Sequence, residues 1–456
     1  MNDIHEKIKD HIYSHKEEIL KHLAELVAIP SYKQLPEDGA PFGAAAKKAL
    51  YKMKDICDGM GFKTTVYGNA VLCADYGEEP ELGILAHLDV VPVDRDNWAT
   101  DPFELTEKDG VLYGRGAIDD KGPAVAALWA LGCVKELGIP LKKGVRLIFG
   151  TDEENGSEDL EIYKKYDKFP PKVFTPDGSF PVINIEKGML RLNFFGEFKS
   201  GEVLLFEGGS VPNAVPNHAG AKLLSVPPAD VEREAGCITG AEFSVDEGSG
   251  HAEIASRGRA AHASTPEAGV NAIRSLIALL NRVTDEPVLR GLGKLFPFGE
   301  TDGAALGLKC ADESGALTCV LSKIKAEQGV INGTVDIRFP TCTSLESVKG
   351  RLTSALEDIG LNCKILIGEE PHIVPEDSEF VKSLLAVYER VEGKKGHCIA
   401  IGGGTYVHNI EGGVAFGAER GDTDYHMHGD NEFITVEELI KDAVLFAEVI
   451  AQVLQK

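Results

Sequence analysis

Three apolar runs in this chain end in side chains that carry charge or bind cations. Gly83-Ile84-Leu85-Ala86 leads into His87 and, two residues on, Asp89. Val145-Arg146-Leu147-Ile148-Phe149-Gly150 leads into Asp152, Glu153 and Glu154, and Val173-Phe174-Thr175 is followed by Pro176-Asp177. Runs of this kind read as buried strands, and a buried strand that opens onto carboxylates must lead to water or to a cation. Between the first two runs, Gly116-Ala117-Ile118-Asp119-Asp120-Lys121-Gly122-Pro123 precedes an Ala-rich stretch to about Leu137, which reads as a helix. Strand, helix, strand, helix with polar groups at the strand C-terminal ends is the α/β arrangement that gathers a site on one edge of a sheet.

Each segment alone also has a plainer reading. His87 and Asp89 lie on one side of an extended backbone, so one could ligate a metal while the other orients its ring, or a strand could simply close in a polar turn. Asp119 and Asp120 suit a helix N-terminus, with Pro123 at a first helical position. Asp152 to Glu154 suit a solvated acidic turn. Together, His87, Asp119, Glu154, Asp177 and His428 make a mixed imidazole and carboxylate set without thiols. Such a set fits Zn²⁺, Mn²⁺ or Co²⁺ in a hydrolytic site better than a structural zinc clip. Five side chains with one shared carboxylate can hold two ions about 3.5–4 Å apart, and Glu153, beside Glu154, is then placed to take a proton from water. His426, two residues before His428, offers the same imidazole.

At 456 residues two domains are the default. The α/β texture holds over 1–187, gives way to short strands with a few helices over 188–375, and resumes over 376–456. The middle part reads as an α+β insert with room for two similar halves. Residues 3–29 read as one amphipathic helix whose His5, His11, His15 and His22 fall among charged positions and are expected in solvent. A net charge of −25 leaves no basic footprint for nucleic acid or anionic lipid. Nine Cys without CxxC spacing read as reduced thiols, which favours the cytoplasm. The first residues lack the pattern of a secretory signal, and no apolar run has membrane-spanning length.

The motifs Ala86-His87-Leu88-Asp89, Gly116-Ala117-Ile118-Asp119-Asp120-Lys121-Gly122, Thr151-Asp152-Glu153-Glu154, Pro176-Asp177, Ala261-His262-Ala263-Ser264 and His428-Gly429-Asp430-Asn431-Glu432 resemble, in order and local spacing, the dinuclear metallopeptidase family of carboxypeptidase G, succinyl-diaminopimelate desuccinylase and the PepV-type dipeptidases. They span nearly the whole chain. The stretch from Asp101-Pro102-Phe103 through Phe174-Thr175-Pro176-Asp177 to Glu186-Lys187-Gly188 resembles the PepV-type branch in particular.

The resemblance implies an α/β zinc-exopeptidase-like catalytic domain, with a mixed, largely parallel sheet between helices, and a large inserted α+β lid. In this branch the lid is enlarged so that one chain imitates the paired lids of dimeric relatives, and a monomer is expected. It implies two divalent metal ions, zinc first and manganese or cobalt next. Asp119 would bridge, His87 and Asp177 would hold one ion, and Glu154 and His428 the other. Asp89 would hold the His87 ring, Glu153 would be the general base, and His262 would stabilise the oxyanion. Asn213 and Arg338 would grip the substrate near its carboxylate. Gly403, Gly404 and Thr405 would add backbone amides, or form only a tight turn.

Relatives commonly carry Arg soon after the Gly-Gly-Thr run, where this chain has Tyr406-Val407-His408. The implied activity is hydrolysis of dipeptides, β-alanyl and Xaa-His types among the candidates, by a metal-bridged hydroxide. An N-acyl or N-carbamoyl amino-acid amidohydrolase would share the same cradle. A non-catalytic metal-binding scaffold is disfavoured because base and ligands are all present.

Overall fold

The computed structural model describes residues 2–248, 250–421 and 423–455. The chain divides into two compact units: one runs to Asn184 and adds Ile373–Ile399 and Gly404 onward, and the other is Ile185–His372 with Ala400–Gly403.

The first unit is a mixed α/β layer structure. Its sheet runs Lys63–Tyr67, Val71–Tyr76, Gly144–Gly150, Pro80–His87, Lys172–Thr175, Gly413–Ala415 in spatial order. Gly144–Gly150, Pro80–His87, Lys172–Thr175 and Gly413–Ala415 are mutually parallel. Parallel strands are covered on both faces, which is why they read as continuous apolar runs. His87 pairs with Gly150, so the chain leaves both strands at the same level, and every C-terminal end points to one edge.

The helix Lys121–Glu136 is buried from Lys121 to Val134. It packs against Val436–Leu454, the final helix, which starts in a capping box. Thr435 Oγ1 accepts from Glu438 N at 3.1 Å, and Glu438 Oε2 accepts from Thr435 N at 3.1 Å, so two orphan amides are satisfied together. A Cβ on Gly122 would lie 2.0 Å from the Ala117 carbonyl oxygen, so only glycine lets this helix start beneath the turn that carries Asp119.

Three local expectations change. The amphipathic stretch 3–29 is two helices, Asn2–Ser14 and Lys16–Val27, broken at His15 (φ −106°, ψ 19°). The His11 carbonyl there accepts from Ser14 Oγ at 2.7 Å and His15 Nδ1 at 2.8 Å, side chains that compete with the helical amide. His5, His11, His15 and His22 are all half-buried rather than solvated; His22 Nδ1, for example, accepts from Trp129 Nε1 at 3.1 Å. Pro123 is the third helical residue and not the first, because the helix begins at Lys121. The buried Lys121 ammonium donates to the Leu26 and Ile29 carbonyls at 3.0 and 2.7 Å, tying this helix to the end of Lys16–Val27.

The second unit is α+β. One antiparallel sheet of eight strands runs in the order Glu242–Glu247, His251–Arg257, His218–Leu224, Val203–Gly208, Thr318–Glu327, Val330–Phe339, Gly188–Glu197, Asn362–Glu369. Alternate residues of Gly188–Glu197 are buried, the period-two pattern of a sheet with one covered face. The helices Ala272–Val283, Pro287–Leu295 and Leu345–Glu357 share its apolar core. Among the described residues, no helix is long and apolar enough to cross a membrane.

Candidate metal centre

Parallel strand ends bring five distant segments of the first unit together. His87 is fully buried. Its Nδ1 donates to the Asp89 backbone carbonyl at 3.0 Å, which leaves Nε2 aimed at Asp119 Oδ1 (3.0 Å) and Asp177 Oδ2 (3.7 Å). On the other side of Asp119, Oδ2 lies 3.0 Å from His428 Nε2, and the same nitrogen is 3.1 Å from Glu154 Oε2. Asp119 therefore faces one imidazole with each oxygen. Two trios of donor atoms, His87 with Asp119 and Glu154, and His87 with Glu153 and Asp177, each lie within 4.8 Å of one another. His426 is apart from this group: its Nδ1 donates to the Asp430 carbonyl at 3.2 Å and its ring packs edge-on against Phe433. Both His426 and His428 have left-handed backbone (φ 57° and 58°), so the alternation of an extended chain does not apply between them.

The electrostatics of this group call for positive charge. Burial pushes the Asp177 carboxyl up to about 7, helped by the charges of Asp119 and Glu154. Burial, with the charge of Asp177, likewise raises Glu153 well above the usual carboxylate range. For Asp119 burial acts upward too, but hydrogen bonds from His428 and His87 outweigh it and hold the carboxyl low. His428 is drawn up to about 11 by Asp119 and Glu154. Like charges this close cannot all ionise without a counter-charge, and the donor set of two imidazoles and four carboxylates fits divalent cations.

The hydrogen bond to the His87 ring comes from the Asp89 carbonyl, and the Asp89 side chain serves the acidic turn. Its fully buried carboxylate accepts from Glu153 N at 3.2 Å and Glu154 N at 3.1 Å, while Oδ1 lies 3.4 Å from His87 Nδ1. One side chain thus fixes the turn that presents both glutamates. Asp89→Asn should weaken divalent-metal affinity about 10–100-fold, read by competition with a chelating dye, with the far-UV circular dichroism spectrum unchanged. Asp120 Oδ2 accepts from His87 N at 3.0 Å.

Several contributors escape a reading by spacing. Glu432 is fully buried and accepts from the backbone N–H of Gly116 (3.1 Å), Ile118 (3.0 Å) and Asp119 (3.2 Å), and from Arg115 Nη1 at 2.5 Å; it holds the turn that displays Asp119. Asp159 Oδ2 accepts from Thr151 N (2.6 Å), Asp152 N (3.1 Å) and Tyr406 Oη (2.6 Å), supporting the turn before Glu153. Tyr406 presents its ring edge to His87 at 6.0 Å. The carboxyl of Glu419 is raised by burial and by the charge of Asp119. The sequence does carry a signal for Glu419, because Val414-Ala415-Phe416 is a fourth apolar run on the parallel edge, with Gly417-Ala418 before the acid.

The remaining expected residues divide between the units. Asn213, His262, Arg338 and Gly403 belong to the second unit, and Gly404 and Thr405 to the first. Asn213 is exposed, and its carbonyl accepts from Ala263 N at 2.9 Å. His262 Nδ1 lies 2.6 Å from Ser264 Oγ and accepts from Ser264 N at 3.3 Å, which puts the proton of a neutral ring on Nε2. Burial and the nearby Arg338 charge lower its pKa. Arg338 is buried; Nε and Nη2 donate to Asp336 at 2.7 and 3.4 Å, and Nη1 to the Gly402 carbonyl at 3.1 Å. Of its five N–H groups, these bonds leave one on each terminal nitrogen. A Cβ on Gly402 would lie 2.4 Å from Ser264 Cβ, whereas Gly403 faces open space.

A mixed sheet whose parallel edge collects imidazoles and carboxylates around a shared aspartate has the donor set of a metal-dependent hydrolase. The family model for peptidase family M20/M25/M40 matches residues 83–452, and the chain belongs to that family. The chain is 33% identical over 456 residues to the Beta-Ala-Xaa dipeptidase of Lactobacillus delbrueckii subsp. lactis, covering 95% of this chain and 96% of that one. Human carnosine dipeptidase 1 shares the fold, with a TM-score of 0.63 at 20% identity over 99% of each chain. The dipeptidase Dug1p of Saccharomyces cerevisiae shares it too, with a TM-score of 0.63 at 14% identity over 100% of each.

Proposed function

We infer that this chain is a metal-dependent dipeptidase with a dinuclear centre, its first unit catalytic and its second a lid. The observation that carries this reading is Asp119, with one oxygen 3.0 Å from His87 and the other 3.0 Å from His428. His87 and Asp177 would hold one ion and Glu154 and His428 the other, with zinc the first choice and manganese or cobalt next. Divalent ions held there would supply polarisation of the substrate carbonyl and acidification of the attacking water.

The chain's own residues supply the rest. Glu153 takes the proton as the water oxygen attacks the amide carbon, and delivers it to the leaving nitrogen as the C–N bond breaks. From the second unit, we assign His262 Nε2–H to the developing oxyanion, and Arg338 with Asn213 to the substrate carboxylate, for which a planar fork is suited. We assign the backbone of Gly403, Gly404 and Thr405 to the same carboxylate. The name of the Lactobacillus relative makes β-alanyl dipeptides the first substrates to try. We assign the chain to a reducing cytoplasm, in keeping with nine free cysteines, and take it to act as a monomer.

Metal-stripped protein should be inactive, and divalent metal should restore hydrolysis of unblocked dipeptides, β-alanyl types included, in preference to the matching N-acyl amino acids. No metal-restorable activity on any dipeptide would sink the reading; preference for the N-acyl series would make the enzyme an amidohydrolase.

A further inference from the structure

We propose that His11, His15 and Glu136 form a second metal site, apart from the centre described above, which binds one borderline transition-metal ion such as Zn²⁺, Co²⁺ or Ni²⁺ and fastens the N-terminal helix to the helix Lys121–Glu136. One donor atom from each residue lies within 4.8 Å of the other two. His11 lies in the last turn of the helix Asn2–Ser14 and His15 at the break just after it, and their ring centroids are 4.4 Å apart at 38°. His11 Nε2 is buried without a hydrogen-bond partner and lies 3.4 Å from Glu136 Oε2. A buried nitrogen left in that state is costly unless something occupies its lone pair.

The chemistry of the three groups agrees with a cation. His15 Nδ1 donates to the His11 carbonyl at 2.8 Å, which leaves the Nε2 lone pair for a ligand, as the Asp89 carbonyl does for His87. Burial, then the neighbouring His15, hold the His11 pKa below its ordinary value, keeping the ring in the neutral form that binds metal. Glu136 is the last residue of its helix, where the unsatisfied carbonyls favour positive charge. Two imidazoles with one carboxylate form an open three-ligand set that water completes. Glu136 is half-exposed, which provides the open side. Asp119 lies just ahead of the same helix, whose length at about 1.5 Å per residue keeps the two sites roughly 20 Å or more apart.

The test is metal content after equilibrium dialysis against Zn²⁺, using the full chain. Wild type should hold one more ion per chain than His15→Gln or Glu136→Gln, and the difference should persist in an Asp119→Asn background that cripples the other centre. Trp129 gives a second readout, because its ring lies 5.3 Å from that of His15. In a Trp98→Phe background, Co²⁺ should quench Trp129 emission saturably, by half or more, and Glu136→Gln should abolish the quenching. Equal metal content in wild type and Glu136→Gln, or emission insensitive to Co²⁺, would overturn the proposal. If His15→Gln fails to fold, Glu136→Gln at an exposed helix end still decides the matter, and neither readout depends on peptide hydrolysis.

Discussion

Glu153→Gln is expected to lower kcat roughly 10²–10⁴-fold, the range for loss of a general base, while divalent-metal content per chain stays as in wild type. The carboxyl sits at the end of the strand Gly144–Gly150, on a short turn whose amides are fixed by Asp89. Glutamine keeps the volume and one oxygen but cannot accept the proton of the attacking water. Glu153 also belongs to a donor trio with His87 and Asp177, so the metal measurement separates two roles. A base lost without metal loss leaves stoichiometry intact and KM little changed; a ligand lost takes metal with it. Full activity in Glu153→Gln would remove Glu153 from the reaction altogether.

Glu432→Ala is expected to cost about 3–5 kcal/mol of stability, because it strips the partner from a buried guanidinium, and to weaken divalent-metal affinity as well. Arg115 is buried, is paired with Glu432 at 2.5 Å, and lies over the Trp98 ring at 5.4 Å. The same carboxylate gathers the amides of Gly116, Ile118 and Asp119, so its loss frees the turn that aims Asp119. Denaturant midpoints give the stability change, and a chelator competition gives the affinity. Glu432→Gln, which retains an acceptor oxygen of similar reach, should lose less of both. Normal metal affinity in a folded Glu432→Ala protein would show that Asp119 is placed without it.

Much of the first unit could be read from local pattern. Apolar runs with branched side chains mark the parallel strands, and the closing helix Val436–Leu454 follows from its periodicity. The N-terminal helix was legible in its apolar face but not in its break, because the competition for the His11 carbonyl depends on where Ser14 and His15 turn their side chains. The half-burial of His11, His15 and His22 against the helix Lys121–Glu136 was equally hidden, since a histidine flanked by charged residues looks the same in sequence whether its face is wet or covered.

Within the centre, the chain's own order determined which chemical types end the parallel strands: His87, the pair Glu153 and Glu154, and Asp177. That much is local, because a strand end and the acid beyond it are neighbours in sequence. Only the tertiary structure decided that Asp89 holds the amides of two glutamates and that Arg338 shares its guanidinium between Asp336 and Gly402. It alone joined Glu432 to a turn 313 residues away and Glu136 to His11 and His15. The physical reason is one of range. Periodicity and turn chemistry act over a few residues, whereas hydrogen-bond partners of buried charges are chosen by whichever segments the packed core brings within about 3 Å.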